Sequence, residues 1–102
     1  MVTDLYADLE QGIPAVREEF ETLLHDLVEI PTVSMDPAHA EDIRRGAQTA
    51  AAILQDCGAT AEIVETPGNP VIFGQMIVNP AYPTVAIYNH LDVQPADRAE
   101  WG

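Results

Sequence analysis

The last apolar run of the chain constrains its fold most. Residues 85–88 (Val-Ala-Ile-Tyr) contain no charged side chain, so a strand built from them is apolar on both faces. Such a strand needs cover on each side, and a sheet flanked by helices supplies that cover. The run therefore predicts that Thr84–Tyr88 is a central strand of an α/β domain.

Two helices are predicted upstream of this strand. Pro14 fits the first turn of the first helix, which ends near Ile30, ahead of a proline; a separate turn over residues 4–9 is left open. Asp36 as N-cap and Pro37 at the first helical position begin a second helix, which Gly58 ends. The apolar face of the first helix repeats every three or four residues and consists of Ile13, Val16, Phe20, Leu23, Leu24 and Leu27.

Three short strands complete the predicted order. Residues 61–66 and 71–78 flank the turn 67–70 (Pro-Gly-Asn-Pro), and the loop 79–83 joins the second strand to Thr84–Tyr88 as a β-hairpin. The order is helix, helix, strand, strand, strand (α-α-β-β-β), an α/β arrangement whose last strand delivers its carboxyl end to a site. A length of 102 residues fits one domain or part of one.

Composition argues against several classes of partner and location. The chain has 17 acidic and four basic residues, giving a net charge of −13. Nucleic acid and anionic membranes are therefore not expected as partners, because phosphate binding needs clustered Lys and Arg. One cysteine, Cys57, excludes an internal disulfide. We see no signal-peptide pattern and no apolar run of membrane length, which predicts a cytoplasmic location.

His90 and Asp92, directly after the last strand, form the candidate site. Two residues apart on an extended backbone, they lie on the same face. An imidazole nitrogen is a good zinc ligand, and a nearby carboxylate can orient that imidazole or polarise a metal-bound water. The alternatives are a strand-end histidine that hydrogen-bonds to backbone and an ordinary loop aspartate.

Two segments carry a resemblance to a known family. Residues 30–34 (Ile-Pro-Thr-Val-Ser) resemble a loop of the co-catalytic zinc metallopeptidases that include aminoacylases, carnosinases and desuccinylases. Residues 83–95, with His-Leu-Asp-Val-Gln-Pro at 90–95, resemble the strand and loop that follow in that family. Asn89 and Leu91 depart from the pattern, where the family usually has glycine and often tyrosine, but neither change removes a ligand.

The resemblance implies a function for the candidate site. It implies that His90 is a ligand of one of two zinc ions and that Asp92 is the catalytic-site carboxylate that orients a neighbouring ligand or the base. Residues 1–102 would then be the N-terminal segment of the catalytic domain of a metal-dependent dipeptidase or amidohydrolase. Such an enzyme cleaves an amide bond in a dipeptide or an N-acyl amino acid with metal-activated water. The remaining ligands and the base follow Gly102 in that family, so we expect this chain alone to be inactive.

The alternative is a non-catalytic truncated module. A sheet edge without its neighbour is a template for pairing with another chain. This interpretation predicts a homo-oligomer that forms through exposed sheet edges or swapped strands.

Overall fold

A computed structural model of the chain describes residues 2–101, and side chains from 4 to 100. The helices and strands are α1 (Val2–Val28), a 3-10 turn (Pro37–His39), α2 (Ala40–Asp56), β1 (Thr60–Val64), β2 (Val71–Gln75) and α3 (Arg98–Trp101). Helices beside a small sheet are consistent with the predicted α/β class. The sheet within these residues has two strands, whereas the sequence predicts three.

Gly58 ends the second helix as predicted, whereas Asp36 and Pro37 begin a 3-10 turn and α2 itself begins three residues later than predicted, at Ala40. The Asp36 side chain accepts a hydrogen bond from the backbone N–H two residues on, at 2.9 Å, and begins a 3-10 turn that leads into α2. At the other end, Gly58 has a φ of 92° and donates its N–H to the Gln55 carbonyl. Ala59 donates to the Leu54 carbonyl, which completes a Schellman motif. The motif turns the chain directly into β1.

The hairpin forms between β1 and β2. The two strands pair antiparallel, from Thr60 opposite Gln75 to Val64 opposite Val71, across the predicted turn 67–70. Both strands are shorter than predicted, and α2 packs against them. At the turn, Arg44 of α2 makes a two-pronged ion pair with Glu65, at 2.7 and 2.9 Å.

The predicted third strand is wrong. Residues 84–88 belong to no strand, and residues 83–92 make no backbone–backbone hydrogen bond within the described part of the chain. Val85, Ile87 and Tyr88 are 80–91% exposed. A strand is defined by the ladder that its neighbour provides. Without such a neighbour the apolar run remains an unpaired, solvent-facing segment, and the predicted hairpin through residues 79–83 does not form.

The first helix is longer than predicted. It begins at Val2, and Pro14 lies inside it and not in its first turn. The apolar spacing continues upstream of the proline, so one helical face runs through the whole element, although Pro14 supplies no N–H to it. This face is largely exposed over most of its length; its members are Leu5, Leu9, Ile13, Val16, Phe20, Leu24 and Val28. The half-buried Leu23 and Leu27 lie near its C-terminal end.

The small core lies where the loop 30–34 meets α2. Its buried apolar residues are Ile30, Val33, Ala47 and Ala51. Thr32 is 3% exposed and lies against Gly46, where an added Cβ would stand 2.5 Å from the Thr32 Cγ2. Glycine at this position of α2 therefore lets the loop approach the helix closely.

Among residues 2–101, no helix combines the length and the apolar character needed to cross a membrane. The cytoplasmic location stays a prediction.

Candidate functional site

The loop 30–34 holds the segment that carries the candidate site. The backbone N–H of Val93 donates to the Thr32 carbonyl at 3.1 Å, and the Thr32 hydroxyl donates to the Leu91 carbonyl at 3.4 Å. The Ser34 hydroxyl donates to Oδ2 of Asp92 at 2.7 Å. The two segments that resemble one family are thus brought into direct contact, although 58 residues separate Ser34 from Asp92.

His90 and Asp92 lie side by side, as their spacing predicts. Nδ1 of His90 is 3.1 Å from Oδ1 of Asp92 and 3.2 Å from the Asp92 backbone carbonyl. An ionised carboxylate and a carbonyl only accept hydrogen bonds, so Nδ1 is the donor and carries the proton in the neutral ring. Nε2 then has a free lone pair. The His90 side chain is 80% exposed, which leaves this nitrogen open to a ligand.

Asp92 is held in its charged form. The hydrogen bond from Ser34 is the main cause that lowers the pKa of the Asp92 carboxyl below its usual value, and the His90 contacts lower it further. Partial burial opposes them and is outweighed. With a side chain 39% exposed, Asp92 stays ionised at neutral pH and accepts the proton of Nδ1. A carboxylate in this place orients the ring and makes Nε2 a better ligand.

The donor chemistry fits one part of a metal site. A neutral imidazole with an open Nε2 and an orienting carboxylate is a common combination at zinc. Zinc takes three or four protein ligands, however, and no group of three His, Cys, Asp or Glu side chains that could hold a metal occurs in the described residues. The structure brings His90 and Asp92 together, and their roles in binding and catalysis stay predictions.

Ser34 has no predicted role in the sequence, yet it contacts Asp92 directly. The available signal was its position at the end of one of the two segments that share a family resemblance. If residues 30–34 are assumed to contact residues 83–95, the Ser34 hydroxyl is expected near the candidate site.

Two curated proteins are similar to this chain over most of its length. The chain is 33% identical, over 108 aligned positions, to a Beta-Ala-His dipeptidase of Homo sapiens; the match covers 93% of this chain and 20% of that protein. It is also 33% identical, over 98 positions, to a Cys-Gly metallodipeptidase (dug1) of Schizosaccharomyces pombe, with 86% of this chain and 21% of that protein covered. No family model matches the chain, and no solved structure matches it significantly.

The chain that has this α/β fold and brings His90 and Asp92 together is therefore related in sequence to dipeptidases. Over about nine-tenths of its length the chain is a relative of metallodipeptidases, which confirms the family resemblance inferred from the motifs. The chain spans about a fifth of the length of the curated relatives it matches.

Proposed function

We propose that residues 1–102 are the N-terminal segment of the catalytic domain of a metal-dependent dipeptidase. In this proposal His90 binds one of two zinc ions through Nε2, and Asp92 fixes the ring. The observation that carries the proposal is the hydrogen bond from Nδ1 of His90 to Asp92, which leaves Nε2 free in a chain related to metallodipeptidases. The substrate class is a dipeptide or an N-acyl amino acid.

The chain contributes binding and orientation to this chemistry. Bound zinc would supply Lewis acidity and a water acidified for attack on an amide carbonyl. Asp92, ionised and held by Ser34, keeps the His90 ring in one orientation and increases the basicity of Nε2. The further ligands and the base would come from other parts of a longer protein, because the described residues offer one imidazole and one carboxylate at this point.

A chimera tests this function directly. The matching segment of the Cys-Gly metallodipeptidase is replaced by this chain, and hydrolysis of Cys-Gly is measured with zinc present. We expect the chimera to be active and His90→Ala to lower its kcat/KM by at least about 100-fold, since even indirect partners of a metal often cost 10- to 100-fold. His25→Ala, which removes an exposed histidine of α1, is the matched control and should have no effect. A chimera that stays fully active without His90 would contradict the proposal.

The isolated chain should not turn over substrate. One imidazole and one carboxylate do not complete a two-metal site or supply a separate base. The purified 102-residue chain is assayed with excess zinc on a panel of dipeptides, with the active chimera as the positive control. Turnover clearly above the blank would show that the expectation of inactivity is wrong.

A second candidate function is self-association, and one observation favours it. Large apolar side chains are exposed along α1 and along residues 76–88, and β2 has one unpaired edge within the described sheet. Such surfaces favour contact with another copy of the chain. Light scattering over a range of concentrations distinguishes the two candidates. A monomer throughout that range would exclude the self-associating module.

A further inference from the structure

We propose that Ser34 is a positioning residue of the metal site. Its hydroxyl fixes the Asp92 carboxylate in the orientation in which Asp92 accepts the Nδ1 proton of His90, so that Nε2 is the nitrogen presented to the metal. The inference rests on the proposed function and extends it to a residue on a different loop.

The geometry gives each oxygen of the carboxylate one side-chain partner. Oδ2 of Asp92 accepts from the Ser34 hydroxyl at 2.7 Å, and Oδ1 accepts from Nδ1 of His90 at 3.1 Å. Rotation of an aspartate carboxylate about its terminal torsion is otherwise broad. A short hydrogen bond to the charged group restricts that rotation, because such charge-assisted bonds are about twice as strong as neutral ones.

Ser34 follows two buried residues of the loop, Thr32 and Val33, and this packing gives it the fixed base that a positioning residue requires. Its carbonyl accepts a hydrogen bond from the Asn69 side chain at 3.4 Å. The segment that carries the site has little support of its own, because residues 83–92 make no backbone–backbone hydrogen bond to the described chain. The orientation of Asp92 therefore depends on the loop 30–34.

An ordinary structural role for Ser34 makes a different prediction. Its loss would then lower stability and leave the His90 ring unchanged. A positioning role instead weakens the preference for a proton on Nδ1, since Oδ1 of Asp92 turns away and Nδ1 keeps only the Asp92 backbone carbonyl, at 3.2 Å, as an acceptor. The protonation of the two ring nitrogens is thus a readout that separates the two roles.

The first measurement is made on the metal-free 102-residue chain. Nitrogen NMR of the His90 ring is recorded at about pH 8.5, where an ordinary imidazole is neutral. The proton should be on Nδ1 in the unmodified chain and in Ser34→Thr, which keeps the hydroxyl. Ser34→Ala should give a mixture of the two tautomers. Thr32→Val is the matched control, because it removes a hydroxyl from the same loop without touching the carboxylate.

The second measurement is zinc affinity, followed through the backbone amide signals of residues 90–93, which every variant retains, so that binding to other acidic groups is not counted. Ser34→Ala should bind zinc about 10-fold more weakly, the lower end of the usual effect of an outer partner of a metal ligand. Ser34→Thr should restore the affinity. Ser34→Cys keeps the shape but donates weakly, and it replaces Ser34→Ala in both measurements if that variant does not fold.

The outcomes separate this inference from the proposed function. If Ser34→Ala changes neither the tautomer nor the affinity while His90→Ala abolishes zinc binding, the role of Ser34 is wrong and the metal site stands. If His90→Ala binds zinc as the unmodified chain does, the metal site is wrong, and with it the role of Ser34 there. A tautomer change of equal size in Thr32→Val would reflect general loosening of the loop and would also overturn the positioning role.

Discussion

Two regions of the molecule differ sharply in how they are held. Residues 40–75, the helix–hairpin unit, contain a capped helix, a paired hairpin and an ion pair that joins them. Residues 76–97, the C-terminal segment, are linked to the backbone of residues 2–75 by one backbone–backbone hydrogen bond, from Val93 to Thr32, and by the hydroxyls of Thr32 and Ser34. The first region builds the fold and the second carries the candidate site.

This difference shows where the geometry of the site originates. His90 and Asp92 lie on a segment with no ladder of its own, so their positions are set by the loop 30–34 and not by a sheet. The loop is in turn packed on α2, where Gly46 gives Thr32 room. Changes in the helix–hairpin unit should therefore affect stability, and changes at the loop should affect the site.

Hydrogen exchange gives the largest expected contrast between the two regions. Amides within α2 should be protected at least about 100-fold, whereas amides of residues 83–92 should exchange at nearly the rate of an unfolded chain. The Val93 amide should be intermediate, since it alone of its neighbours donates to the loop. Exchange is followed residue by residue by NMR. Strong protection across residues 84–88 would show that this segment is paired after all.

Substitution of glycine tests the packing of the loop 30–34 on the helix–hairpin unit. Gly46→Ala should lower the free energy of unfolding by about 1–2 kcal/mol, because overpacking against the buried Thr32 outweighs the better helix propensity of alanine. Gly12→Ala is the matched control: an added Cβ there meets nothing within 4 Å, so the change should stabilise by up to about 1 kcal/mol. Urea unfolding measures both. Equal effects of the two substitutions would mean that Thr32 does not pack tightly on α2.

Loss of the ion pair between Arg44 and Glu65 should change the stability of the chain least among these predictions. The hydrogen bond from Arg44 lowers the pKa of the Glu65 carboxyl below its ordinary value of 4.5. The stabilisation by this ion pair is therefore complete above the pKa that Glu65 has in the unfolded chain. It is lost as the pH falls through the lower pKa that Glu65 has in the folded chain. Both side chains are exposed, so the effect is small and weakens with salt.

Glu65→Gln measures this contribution. At pH 7 and low salt it should destabilise the chain slightly, and the difference from the unmodified chain should shrink as the pH falls below about 4.5. Glu62→Gln, on the same strand, is the control for loss of one negative charge. A difference that grows on acidification would have the wrong sign for this pair.

Local signals in the sequence were enough to predict the second helix. Asp36 and Gly58 act through hydrogen bonds within a few residues, so their effects do not depend on the rest of the fold. Pro14 is a local signal that failed. A proline favours the first helical turn, but the continuous apolar face on either side of it carries α1 through that position.

The third strand could not be predicted correctly from its own residues. The apolar pattern at 85–88 indicates which residues suit a covered strand, but pairing depends on a neighbour elsewhere in space. The same limit applies to the site. The nearness of His90 and Asp92 follows from spacing on an extended chain, whereas the contact of Ser34 with Asp92 depends on how two distant segments meet.

The contact between Ser34 and Asp92 has a consequence for the order of folding. It closes a loop of 58 residues, whereas the hairpin closes first between Val64 and Val71. For an ideal flexible chain, the longer closure carries about 2 kcal/mol more entropy loss. Non-local contacts of this kind form slowly. The Asp92 carboxylate should therefore reach Ser34 only after the hairpin has formed. The contact between these two segments is thus expected to form late in folding.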